Sequence, residues 1–139
     1  MKYNFNKNTK IYVAGHKGLI GSAFIRFFKK NGYKNIVTQD KHELDLTCKE
    51  DTVNFFRENQ PEVVILAAGK VGGIIQNRDY PADFIFENLS IQLNVLSAAL
   101  ECHVKQLIFF ASSCMYPKDT PQPMKENQLY TGHLEKTSI

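Results

Sequence analysis

The chain has 139 residues and a formal net charge of +3, with 43% hydrophobic and 22% charged residues. That balance excludes a disordered or collagen-like chain, and the length supports one core, burying roughly two-thirds of the unfolded surface, rather than two. The lysines and arginines form no basic cluster and no apolar run approaches the ~18 residues of a membrane span, so neither nucleic acid nor a membrane is expected as a partner.

Residues 1–9 form a polar leader without the apolar core of a secretory signal. Lys10-Ile11-Tyr12-Val13-Ala14 reads as a first strand, and Gly15 to Gly21 as a glycine-punctuated turn. A helix follows from Leu19, with Phe24, Ile25, Phe27 and Phe28 apolar, and Asn31-Gly32 stops it. Asn35 to Gln39 is a second short strand. Thr47-x-x-Glu50 has the form of a capping box for a helix carrying Val53, Phe55 and Phe56, which ends at Pro61. Glu62 to Ala68 is a continuous apolar run of the kind buried in parallel sheets. A loop, Gly69 to Gly73, leads to a long amphipathic helix from about Ala82 to His103, with Phe86, Leu89, Leu93, Leu96 and Leu100 apolar. Lys105 to Ala111 is a fourth strand, and from Ser112 onward the chain becomes Pro-rich and loses periodicity. The alternation predicts an α/β fold, a Rossmann-like parallel sheet with helices on both faces. Ligands of such sheets bind beyond the carboxyl ends of the strands, here Gly15, Gln39, Ala68 and Ser112.

Gly15-His16-Lys17-Gly18-Leu19-Ile20-Gly21 follows a strand and opens a helix, the context in which glycines let the backbone approach a pyrophosphate. The bland alternative is a turn that only reverses the chain. Asp40, about twenty residues after Gly21, is where an acid for the ribose hydroxyls of NAD is expected, whereas Lys17 and Lys41 favour the 2′-phosphate of NADP. Surface lysines with no ligand are the ordinary alternative. Ala67-Ala68-Gly69 is small enough for a cofactor to lie across it, or is simply a strand end. At the fourth strand end, the Ser112 hydroxyl is placed to hold a substrate carbonyl and the Cys114 thiol to move a proton beside it. Alone, such a Ser and Cys are more often a turn residue and a small hydrophobe. Cys48, Cys102 and Cys114 are odd in number without paired spacing, which fits thiols in a reducing cytoplasm and no metal site. His42, His103 and His133 show no ligand spacing, and His16 reads as a local hydrogen-bonder.

The stretches Val13 to Gly18, Leu66 to Ile74, Tyr80 to Ile85 and Ser112 to Lys118 together resemble the extended short-chain dehydrogenase/reductase family, within it the epimerase–reductases of GDP-linked 4-keto sugars. The resemblance runs from about Ile11 to Glu135. It implies NADPH as cofactor, GDP-4-keto-6-deoxy-D-mannose as substrate and a homodimer when full length. It implies cofactor contacts at Gly15, His16, Lys17, Gly18, Leu19, Ile20, Gly21, Lys41, Asp45, Leu46, Ala67, Ala68, Gly69, Phe110, Ala111 and Ser112, and catalytic roles for Ser112 and Cys114. Lys17 and Lys41 stand where the family carries arginines, and a lysine grips phosphate only as a point charge. The family's proton-donating Tyr-x-x-x-Lys is not found after the fourth strand; the pair Tyr3 to Lys7 lies before the first. The expectation is therefore an N-terminal portion: an incomplete domain over 10–139, stopping after about four strands, inactive alone. Its fourth strand is expected beside the first, with an open outer edge. A non-catalytic dinucleotide-binding module, or a reductase of another GDP-4-keto sugar such as a 6-deoxy-heptose, are the alternatives.

Overall fold

The computed structural model describes residues 6–136. Tyr3, one half of the Tyr-x-x-x-Lys pair, and Thr137 to Ile139 lie outside the described residues. The elements run β1 (Ile11–Ala14), α1 (Leu19–Lys30), β2 (Ile36–Val37), α2 (Lys49–Asn59), β3 (Val63–Leu66), α3 (Ile74–Asp79), α4 (Pro81–Glu101) and β4 (Gln106–Phe109). None of the described helices is long and apolar enough to cross a membrane.

The described residues divide into two compact units, 6–71 with 82–109 and 72–81 with 110–136. The first holds the whole sheet. All pairings are parallel, in the order β2-β1-β3-β4. The third strand, not the fourth as expected, lies beside the first, with Ile11 opposite Val63 and Ala14 opposite Leu66. The continuous apolar run of β3 suits it to that central place, buried on both faces, whereas β4 is only half-buried.

Side chains alternate across β1 and β3 with the period of two that a pleated strand imposes. Ile11, Val13, Val63 and Ile65 face α1, where Phe28 is buried and Phe24 and Ile25 pack against them. Tyr12, Ala14, Val64 and Leu66 face Phe55 and Phe56 of α2 and Ile91, Val95 and Ala98 of α4. Each large apolar side chain fully buried there contributes about 1.5–3 kcal/mol of transfer free energy. The core is therefore two layers divided by the sheet, with helices on both faces as expected.

Several local expectations are corrected. Each strand is shorter than the segment expected for it, although backbone hydrogen bonds continue past the strand ends, from Ile11 N–H to Asn35, Glu62 N–H to Lys10 and Lys105 N–H to Glu62, each at 2.9 Å. α3 arises within the segment taken as loop and inter-element chain; Ile74 and Ile75 are exposed, so no amphipathic stripe signalled it. α4 begins at Pro81, a residue suited to a first helical position because its missing N–H has no intrahelical partner there. Phe27 is 57% exposed. The α2 cap is Cys48, not Thr47, and it makes no side-chain cap hydrogen bond; the Thr47 hydroxyl and N–H both donate to Asp45 Oδ1, at 2.7 and 2.9 Å. The Asn31-Gly32 stop holds in detail, with Gly32 at φ +74° and the N–H groups of Gly32 and Tyr33 donating to Lys29 and Phe28 carbonyls.

The apolar positions chosen for α4 also sort differently. Its core side is Phe84, Ile91, Val95, Ala98 and Ala99, while Phe86, Leu89, Leu93, Leu96 and Leu100 are exposed, Phe86 to 73% and Leu100 to 81%. The helix is apolar on two sides, so hydropathy alone did not say which side meets the sheet.

Candidate active site

In the first unit a cleft of about 510 Å3 opens at the carboxyl ends of β1, β2 and β3. The chain goes from β1 outward to β2, then back past β1 to β3, so α1 and α2 leave on opposite faces and the loops part beside the ends of β1 and β3. That divergence makes a crevice in any doubly wound sheet.

Two glycines shape its floor. Gly15 has φ +78°, and a Cβ there would come 2.6 Å from the Ala67 carbonyl oxygen. At Gly21 a Cβ would come 2.2 Å from the Gly15 carbonyl oxygen. The turn thus folds back against the start of α1 and against the β3 end with backbone on backbone. Gly18 is the α1 N-cap; it supplies no side-chain cap, and the first turn carries no acid. Positive potential from the helix N-terminus is left to a ligand.

Gly15, His16, Lys17, Gly18, Leu19, Ile20, Lys41, Asp45, Leu46, Ala67, Ala68 and Gly69 all line this cleft. Gly21 does not; it is buried beneath the turn and acts by permitting the close approach. Phe110, Ala111, Ser112 and Cys114 belong to the second unit. There the Ser112 Oγ accepts the Cys114 N–H at 3.1 Å, capping a single 3-10 turn over Ser113–Met115, and Cys114 is exposed. An oxygen that accepts in this way keeps its own proton for donation.

The mixed charges resolve into pairs. Lys17 Nζ lies 2.6 Å from Asp40 Oδ2, with His16 Nε2 3.5 Å from Asp40 Oδ1. The Lys17 hydrogen bond holds the Asp40 carboxyl below its ordinary range. Lys41 Nζ lies 2.7 Å from Glu87 Oε1 and Lys70 Nζ 3.1 Å from Glu87 Oε2. These bonds depress the Glu87 carboxyl and raise the Lys41 ammonium. The Thr47 hydroxyl and N–H likewise hold Asp45 low. Asp40, His42 and Glu43 bring one ligand atom each within 4.8 Å of one another, a proximity their spacing did not signal, but Asp40 is held by Lys17.

The sequence reading missed Glu87, Asn88 and Asn94. Asn88 Oδ1 accepts the Lys70 N–H at 2.8 Å and its amide donates to the Lys70 carbonyl at 3.0 Å, fixing the loop after β3. Asn94 donates to the Leu46 and Thr47 carbonyls at 3.0 and 2.9 Å, fixing the loop before α2. The available signal was three polar residues next to the core positions Phe84, Ile91, Val95 and Ala98 of one helix. Such residues need partners when they are drawn out of water.

Comparison with known proteins gives a consistent picture. The NAD dependent epimerase/dehydratase family matches residues 11–138. GDP-L-fucose synthase 1 of Arabidopsis thaliana is 52% identical over 133 residues, 96% of this chain and 41% of that protein. Among solved structures, one described as DdhaC superposes with a TM-score of 0.93 at 47% identity, over 97% of this chain and 39% of the other. A GDP-mannoheptose C4 reductase from Campylobacter jejuni with NADP bound superposes at 0.90 and 41% identity, over 97% of this chain and 43% of its own. The chain thus spans about two-fifths of the length of each.

Proposed function

The chain belongs to the NAD dependent epimerase/dehydratase family, and on that footing we propose that it is the cofactor-binding part of an NADPH-dependent epimerase–reductase making GDP-L-fucose from GDP-4-keto-6-deoxy-D-mannose. The observation that carries this reading is the 52% identity to a GDP-L-fucose synthase over 96% of the chain.

The residues fit the cofactor. The Gly15–Gly21 turn leaves no room for a Cβ at its close approaches, the N-terminus of α1 is bare, and lysines stand at the mouth. Gly15 to Gly21 would hold its pyrophosphate, and Lys41, Asp45, Leu46, Ala67, Ala68 and Gly69 the parts that enter the same cleft; Phe110, Ala111 and Ser112 are the further cofactor contacts that the resemblance implies. When bound, NADPH supplies the hydride for C4 of the sugar. The keto group at C4 acidifies the protons at C3 and C5. Ser112 donates a hydrogen bond to the keto oxygen, and Cys114 takes or returns a proton at the epimerising carbons.

The test is conversion by the intact protein. Supplied with GDP-4-keto-6-deoxy-mannose, it is expected to yield GDP-L-fucose faster with NADPH than with NADH, followed by NMR of the product and nicotinamide absorbance. No turnover overturns the reading. Selective turnover of a GDP-4-keto-6-deoxy-heptose would favour a second one, which the likeness to a GDP-mannoheptose C4 reductase supports.

We also propose a homodimer built on α4. Its exposed stripe, Phe86, Leu89, Leu93, Leu96 and Leu100, is a contiguous apolar surface of the kind that marks an interface. Leu93→Glu is expected to shift the intact protein from dimer to monomer in sedimentation velocity; an unchanged dimer would place the interface elsewhere. The reaction is assigned to the cytoplasm, consistent with three cysteines that form no disulfide.

A further inference from the structure

The lysines of the cleft do not await a ligand with their charge uncommitted. Lys17 is held by Asp40 at 2.6 Å, Lys41 by Glu87 at 2.7 Å, and Lys70 by the other oxygen of Glu87 at 3.1 Å. All five line the cleft or stand beside it, on the glycine turn, the loop after β2, the loop after β3 and α4. Both carboxylates are held below their ordinary ranges by these contacts, so both are ionised near neutral pH. Asp45, which lines the same cleft and acts on Lys41 through its charge, adds a third carboxylate, so three positive charges face three negative ones.

A phosphate entering this place meets a patch whose attraction is largely spent. An ammonium has three donors and can serve two anions, but a second anion must then sit beside the first. In a doubly wound sheet the acid after the second strand either takes the ribose 2′-hydroxyl itself or gives way to cations for a 2′-phosphate. Here that acid, Asp40, is spent on Lys17.

We propose that Asp40 and Glu87 are specificity-setting residues: internal counter-anions that hold Lys17 and Lys41, so that the 2′-phosphate of an adenosine has to compete with both carboxylates for these ammonium groups. The preference for the phosphorylated over the unphosphorylated nucleotide is thereby held down, and the cleft tolerates both. Glu87 was invisible to motif reasoning because it lies on α4, far in sequence from the glycine turn. The proposal rests on reading this cleft as the adenosine end of a dinucleotide site.

The experiment is calorimetric titration of the protein with 2′,5′-ADP and with 5′-AMP, in the parent, Asp40→Asn, Glu87→Gln and the double variant, with thermal melts to confirm folding. Removing one carboxylate is expected to raise the affinity ratio of 2′,5′-ADP to 5′-AMP by about three- to fivefold, and removing both by about tenfold, the range of exposed ion pairs. Lys17→Gln should erase the effect of Asp40→Asn, since the effect acts through that lysine. If Asp40→Asn instead weakens 5′-AMP and leaves 2′,5′-ADP unchanged, Asp40 holds the ribose directly and the proposal is wrong. Unchanged ratios in all variants also overturn it. If neither nucleotide binds the parent, the dinucleotide reading of the cleft has failed as well, a result distinct from the other two.

Discussion

Gly21→Ala is expected to cost about 3 kcal/mol or more of stability and to abolish nucleotide binding. The added Cβ would stand 2.2 Å from the Gly15 carbonyl oxygen and 2.8 Å from the His16 Cα. Both neighbours are backbone, so no rotamer change relieves the contact. The turn has to move by more than about 1 Å, and overpacking of this severity lies at or beyond the usual range. The displaced turn carries Gly15 to Gly18, which form the floor of the cleft. Gly32→Ala makes the control. Gly32 also has a positive φ, +74°, but a Cβ there meets nothing within 4 Å. Only backbone strain of about 1–2 kcal/mol is added, and the cleft is untouched. The measurements are denaturant unfolding and NADPH fluorescence titration of both variants. Parent-like binding by Gly21→Ala would show that the turn does not form the phosphate cradle.

On the function proposed above, Cys114→Ser in a protein carrying the rest of the enzyme is expected to slow formation of GDP-L-fucose by roughly a hundredfold or more. Serine keeps the size of the side chain but has a pKa far above the thiol's ~8.5, so it is a poor proton carrier near neutrality. Hydride delivery to C4 does not need the thiol. The variant should therefore still consume NADPH and release the reduced, unepimerised 6-deoxy sugar. Ser112→Ala should act otherwise and slow both halves, because both build negative charge on the same keto oxygen. Product analysis by NMR, with solvent deuterium followed at C3 and C5, separates the two cases. GDP-L-fucose formed by Cys114→Ser at the parent rate would make Cys114 a packing residue only.

The strands, and the helices other than α3, were legible because their signals are local. β3 is one unbroken apolar run, α1 has a glycine start and an Asn-Gly stop, and the loop glycines fall where strands end. What was not legible depended on partners distant in the chain. Which strand lies beside β1 is set by burial across two faces, not by chain order. The α2 cap was misread: Thr47 donates to Asp45, which lies outside the capping pattern. The conflict between Asp40 and the two lysines could not be resolved from spacing, because half of its answer, Glu87, is contributed by α4. The same holds for Asn88 and Asn94, whose partners lie in loops 18 and as many as 48 positions earlier.

The placement of β3 between β1 and β4 also dictates when the core can exist during synthesis. Lys10 and Glu62, joined by a hydrogen bond at the start of that pairing, are 52 positions apart. Until β3 leaves the ribosome, β1 has only the two residues of β2 to pair with, and both layers of the core lack the β3 side chains Val63, Val64, Ile65 and Leu66 that complete them. A parallel neighbour cannot be supplied by a tight hairpin, so the loop-closure cost falls due before any of the burial that offsets it. The nascent chain therefore passes through an interval in which its most apolar segments are displayed in extended form, the window in which chaperones and misassociation compete for it.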